Sequence, residues 1–399
     1  MKVRKYVGLF VVLIVIGGIT NSCLEPFNAD VPANKLNLLV VDGYINAGPG
    51  KTRITLSKIS PLSFSQNIDF ETDAEVSIET ETDESYLLSE IGSGLYQSEE
   101  LNLPTDKQYR LHIKLSNGKE YRSEMMNVKV TPPIDTIAWE WKPDLLYIYA
   151  YAHDAQNSTR YYSWSYEEDW EIRAQYRPDL KYNGDTIILR ATELPEPRGM
   201  DTLLDMSICY KSGKSKIMNF ATTKLQASDS VKHAVRKMSH AAEERQIRYS
   251  MLLHQHALTE EEFDYLTLVE KNSTQVGSFF DPMPSQLFGN IHRTNEPDET
   301  VIGYVGVYTT EHKRLFLHGD LLPPAPIQEK CEPLDFLNTK ENLALNLSGK
   351  PPVYIPFKTY YQGNPPRPWV QALPRQCMDC RTNATVPRPD YWREFFLDP

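Results

Sequence analysis

After its first 22 residues the sequence has no apolar run of membrane-spanning length. A helix needs about 20 apolar residues to cross the hydrocarbon core, so the body of the chain is expected to be soluble. An excess of positive charge is also missing: 42 Lys and Arg stand against 53 Asp and Glu. Nucleic-acid binding rests on basic patches, and this balance disfavours it. Catalytic motifs are lacking too. There is no HExxH, no GxSxG and no Gly-rich dinucleotide turn after a strand. Gly213-Lys214-Ser215 resembles the end of a phosphate loop, but the glycine required five places earlier is Ile208. These absences leave no catalytic residue and no cofactor or metal site to assign.

What is present begins with an export signal. Lys2, Arg4 and Lys5 precede an uncharged apolar stretch from Tyr6 to Ile19. That stretch is too short for a span and fits the hydrophobic region of a signal peptide. It ends Ile19-Thr20-Asn21-Ser22-Cys23, a small residue before a cysteine, as lipoprotein processing requires; Thr20 stands where leucine is usual. Residues 1–22 are therefore expected to be removed, with Cys23 acylated and the chain held to a membrane by lipid. Residues 23–34 read as a tether. The mature chain of 377 residues carries a net charge near −14.

Four cysteines remain: Cys209, Cys331, Cys377 and Cys380. In an exported protein an even count predicts two disulfides, with three connectivities open. A direct Cys377–Cys380 bridge would close a tight loop, so each is expected to reach a distant partner. Zinc would need a second closely spaced ligand pair, which is absent.

The fold class expected is mainly β. Over residues 35–131 the apolar period is two, as in Tyr109, Leu111 and Ile113, and Asn117-Gly118 is a hairpin signal. This predicts an Ig-like or transthyretin-like β-sandwich. Thr131-Pro132-Pro133 marks a boundary. Residues 134–399 are expected to form a larger β-rich domain with a helical insertion at 259–272. Thr259 is its N-cap and Glu262 its N3 acid, and Leu258 and Phe263 form a hydrophobic staple. Residues 228–244 read as a weaker helix or a mobile loop. The Pro-rich tail from about Pro351 is expected to wrap over the body, pinned by disulfides, without a core of its own.

Three further constellations bear on chemistry. His254 and His256 would share one strand face and could hold a metal with His233, His240 or His292; surface or interface histidines are the commoner outcome. Tyr147, Tyr149 and Tyr151, followed by Tyr161, Tyr162, Trp164, Tyr166 and Trp170, could stack on sugars if exposed, or pack a sandwich if buried. The run Glu79 to Glu84 lacks the ordered spacing of a calcium loop and reads as a charged strand edge.

Several blocks in order resemble a lipoprotein family of Bacteroidota defined only as a domain of unknown function. They are the segment ending at Cys23, Leu39-Val40-Val41-Asp42-Gly43-Tyr44-Ile45, Ile208-Cys209-Tyr210 and Arg248-Tyr249-Ser250-Met251-Leu252. Gly277-Ser278-Phe279-Phe280-Asp281-Pro282-Met283-Pro284-Ser285-Gln286 with Gly289-Asn290-Ile291 follows, then Cys377-Met378-Asp379-Cys380-Arg381 and Tyr391-Trp392. Members are often encoded beside TonB-dependent receptors. The resemblance implies an accessory outer-membrane lipoprotein whose partner is such a receptor or another envelope protein, acting in nutrient uptake. It supplies no catalytic residues and does not call for histidine at 254 and 256. A surface glycan-binding or adhesive module is the alternative; the small-molecule ligand is unknown. Residues 279–290 are a candidate interaction face.

Overall fold

Alternation converts directly into buried and solvated faces. In the strand Gln108–Lys114, Tyr109, Leu111 and Ile113 are fully buried while Arg110 and His112 face outwards. The Asn117-Gly118 turn joins this strand to Glu120–Ser123 in the expected hairpin. The computed structural model describes residues 38–58, 68–189, 206–215, 219–274, 289–322, 331–382 and 385–392, over which the chain is mainly β. Residues 1–22, Cys23 and the tether lie outside the described residues, as do Phe279, Phe280 and Phe288.

The N-terminal unit is one curled sheet of eleven strands rather than two separate sheets. Buried side chains from its two halves, such as Val41, Ile54 and Tyr96 against Val76, Leu111 and Tyr121, share one core. The unit is not confined to 35–131. Both ends of the sheet come from late in the chain, as Ile291–Arg293 pairs with Glu120–Ser123 and Val307–Tyr308 pairs in parallel with Leu39–Asn46. Ile291, Val301, Val305 and Val307 complete its core, and the helix Glu260–Thr274 precedes this return.

The second unit is a two-layer sandwich. One layer has three strands: Ile134–Lys142, Leu145–His153 and Ser230–Ser239. The other is built on Tyr161–Arg173 and Arg248–Ala257, flanked by Ile208–Lys214, Asn219–Thr222 and Glu311–His318. Leu146, Ile148, Val231 and Val235 meet Tyr162, Trp164, Tyr249 and Met251 between the layers. Gly213 and Lys214 lie on a strand, so they form no phosphate loop.

Three expectations change here. The strand Ser230–Ser239 occupies the segment read as a helix or loop. Its partner register slips between Ile148 and Tyr149, which leaves a bulge beside Val235. The inward residues Val231, Val235 and Met238 then fall at i, i+4 and i+7, the spacing of a helix face. Glu79 sits on an interior strand, between Ser85–Gly92 and Gln108–Lys114, where Arg110 and His112 engage it. The tail does build a core. Leu334–Leu337, Arg367–Pro374 and Tyr354–Gln362 form a sheet over the helix Lys340–Leu347, burying Phe336, Leu343, Leu347 and Val370. Residues 375–382 and 385–392 wrap over the second unit, with Tyr391 beneath Arg314 and Trp392 against Tyr210.

The cysteines pair as Cys209–Cys380 and Cys331–Cys377, each with Cα atoms 6.0 Å apart. Each bridge ties the tail to a distant partner, the outcome expected for both. Asp379, between the two tail cysteines, is fully buried and held by Arg375 and Arg381. Closing loops of 171 and 46 residues restricts the unfolded chain, an effect of a few kcal/mol per bridge.

Candidate functional site

The five-stranded layer has its inner face in the core and its outer face partly covered, with Glu167 and His312 left exposed. Its outer face meets the N-terminal unit at His256 and the tail at Arg314 and Tyr391. The three-stranded layer is different. On Leu145–His153, Leu146, Ile148, Ala150 and Ala152 point into the core, and Tyr147, Tyr149 and Tyr151 point the other way. These tyrosines are half-buried and belong to none of the hydrophobic core clusters among the described residues.

Neighbouring strands decide what this face presents. Tyr147 lies opposite Glu140 and Lys237, Tyr149 opposite Ala138 and Ala234, and Tyr151 opposite Thr136 and Lys232. Lys232 and Lys237 differ by five positions, so strict alternation would put them on opposite faces. The bulge at Val235 resets the alternation and brings both outwards, while turning Arg236 inwards. The Tyr147 and Tyr149 rings are nearly parallel at 14°, 6.0 Å apart, and Tyr151 follows at 6.5 Å. Lys142 lies 4.6 Å from the Tyr147 centroid, and Lys232 lies 4.5 Å from that of Tyr149. The Lys142 ammonium donates to the Tyr149 hydroxyl at 3.0 Å, and this bond raises the lysine pKa. A bond to Tyr151 does the same for Lys232. The result is a ladder of aromatic rings and ammonium groups, with short alanines flanking the middle rung.

The later aromatics do not join it. Tyr161, Tyr162, Trp164 and Tyr166 are buried and Trp170 is half-buried, packed against the sandwich interior or the seam with the N-terminal unit. The aromatic signal in the sequence therefore splits into an open row of three and a buried remainder.

A second cluster lies at the seam between the units. The helix begins as predicted: Thr259 Oγ1 accepts from the Glu262 amide at 3.1 Å, and Leu258 packs with Phe263. Glu262, however, turns into the seam. Its carboxyl group faces the Tyr308 hydroxyl and leaves Oε2 without a hydrogen-bond partner. Burial raises its pKa to about 8. Gly306 is required beside it, because a Cβ there would run into Glu262 Oε2 and the Tyr308 ring. His256 completes the cluster, 5% exposed, with Nε2 3.2 Å from the Tyr44 hydroxyl and its ring 4.8 Å from Tyr308. Burial lowers its pKa to about 3, so the ring is neutral.

His254 and His256 do share a face, but they are not gathered with His233, His240 or His292. His254 lies beside His312, with ring centroids 6.4 Å apart. His233 stacks on Trp164, His240 meets the edge of Trp141, and His292 reaches Glu124. Among the described residues no group of three His, Cys, Asp or Glu is placed to hold a metal. Sequence reading missed Lys142, Lys232 and Lys237. Their only trace was the tyrosine alternation opposite them, and the bulge hid the register.

No curated protein matches this chain. A solved structure described as a "putative carbohydrate binding protein" from Bacteroides uniformis is similar over 56% of this chain and 91% of its own, at 8% identity and a TM-score of 0.15. The family described as a domain of unknown function (DUF4249) matches residues 24–314. That span holds the N-terminal unit, the seam and the tyrosine–lysine face, and it stops before Cys331, Cys377 and Cys380. With nearly three quarters of its length matched, this chain belongs to the DUF4249 family.

Proposed function

We propose that the protein is a non-enzymatic, lipid-anchored cell-envelope protein that binds glycan on the open face of its three-stranded sheet. The observation that carries the reading is the row Tyr147, Tyr149 and Tyr151, which sits outside every core cluster described and is bordered by lysines and alanines. Aromatic rings at a solvated face offer apolar contact to sugar C–H groups, while hydroxyl and ammonium groups supply hydrogen bonds. Tyr149 is the central rung, flanked by the short Ala138 and Ala234 and approached by Lys142 and Lys232, so a ligand along the row must meet it. Tyr149→Ala should lower affinity for a bound glycan about tenfold, equivalent to about 1.4 kcal/mol. Isothermal titration checks this. The melting temperature should hardly move, because the side chain lies outside the core. Unchanged affinity would remove this face from consideration.

The anchor belongs to the same reading. The basic, apolar and small-residue order before Cys23 supports acylation there and attachment to the outer membrane. Cys23→Ala should shift the protein from the membrane fraction to the soluble envelope fraction. A variant that keeps the detergent partition of the original would refute the anchor. Work beside a TonB-dependent receptor rests on the family resemblance, and co-purification from detergent-solubilised membranes tests it.

A further inference from the structure

We infer that the ligand of this face is an acidic glycan, a polymer bearing uronic-acid carboxylates, and this rests on reading the face as a glycan-binding surface. Three lysines converge on it, Lys142, Lys232 and Lys237, and one carboxylate, Glu140, lies within 3.8 Å of Lys142. Among the described residues no carboxylate forms an ion pair with Lys232 or Lys237. The mature chain is otherwise strongly acidic. A local surplus of ammonium groups on such a protein is a place where anions are favoured and most of the remaining surface repels them.

The placement of the lysines adds specificity. They lie over or beside the rings rather than reaching away into solvent, with Lys237 5.8 Å from the Tyr147 centroid and Lys232 5.4 Å from that of Tyr151. A ligand that lies along the rings therefore meets Lys142 and Lys237 near Tyr147 and Lys232 between Tyr149 and Tyr151. Lys237 and Lys232 stand opposite Tyr147 and Tyr151, four residues apart on one strand, or about 13 Å. The two lysines are spread along the row, so a chain carrying carboxylates at intervals can meet both. A neutral glycan would leave the net positive charge of three lysines against one glutamate unanswered.

The test is titration of the full soluble chain, lacking its lipid, with polygalacturonate and alginate. Fully methyl-esterified polygalacturonate and polyphosphate serve as comparisons. Binding of a uronate polymer that weakens with added salt, and drops at least tenfold on esterification, is the expected result. The triple variant Lys142→Gln, Lys232→Gln, Lys237→Gln should lose at least tenfold in affinity with an unchanged melting temperature. The matching triple change to Arg should retain it. If the esterified polymer binds as well as the acid, the acidic-ligand inference fails while the glycan reading stands. If polyphosphate binds as tightly as the uronates, the face reads charge alone and the inference fails. If no glycan in the set binds, both the inference and the glycan reading fail.

Discussion

Glu262→Gln should make the protein more stable above neutral pH and remove much of its alkaline loss of stability. The folded carboxyl titrates at about 8 against 4.5 for a free side chain. Between those values the unfolded chain releases a proton that the folded chain keeps, so stability falls as pH rises through this window. From pH 4.5 to 7 the loss is roughly 3 kcal/mol. His256 acts in the opposite direction. Its folded value of about 3 lies below the free value of 6.5, so its contribution is full above 6.5 and is lost as pH falls towards 3. The two slopes cancel between about pH 4.5 and 6.5, so the pair alone gives a plateau there with losses on both sides. Denaturant melts from pH 4 to 9 on the original and the Gln variant isolate the Glu262 part as a difference curve. Parallel curves would show that this carboxyl group is not confined in the seam.

The N-terminal strands were legible because each carries its apolar residues at period two with turn residues between them. The helix was legible because Thr259, Glu262, Leu258 and Phe263 form a local signal that needs no tertiary information. The seam was not legible. Glu262 looked like half of a capping box, and only the return of residues 291–308 to the first unit places Tyr308 and Gly306 beside it. The tail was misread because prolines suggested wrapping, while Phe336, Leu343 and Val370, far apart in sequence, assemble a core of their own. The tyrosine row was visible, but its exposure was not. Period two gives a strand two faces without saying which one meets the partner layer. The lysines were hidden more deeply, because one extra residue at Val235 reverses the alternation and gives the segment a helical spacing.

The same bulge sets the last expected result. By turning Arg236 inwards it places the guanidinium against Glu168 from the facing sheet, with nitrogen–oxygen distances of 3.1 and 3.2 Å. Glu168 also accepts from the hydroxyl of the fully buried Tyr249 at 2.8 Å. Glu168→Ala leaves Arg236 with Glu244 and the Lys237 carbonyl and strips Tyr249 of its acceptor, at a cost of about 3 kcal/mol or more. Replacing both members of the pair, as Glu168→Leu with Arg236→Met, removes the stranded cation and should recover the part of that loss due to it, while the Tyr249 hydroxyl still lacks its acceptor. Denaturant melts of Glu168→Leu, Arg236→Met and the double form a cycle that measures the coupling. A double variant as unstable as the sum of the singles would mean that the pair does not act as a unit. The cycle also bears on the ligand face, since Arg236 and Lys237 are adjacent and leave the strand on opposite sides. A strand that lost its bulge would turn the Lys237 ammonium into the core, a cost that holds the bulge in place whether or not Arg236 is paired, so uronate binding should survive both Glu168→Ala and the double change.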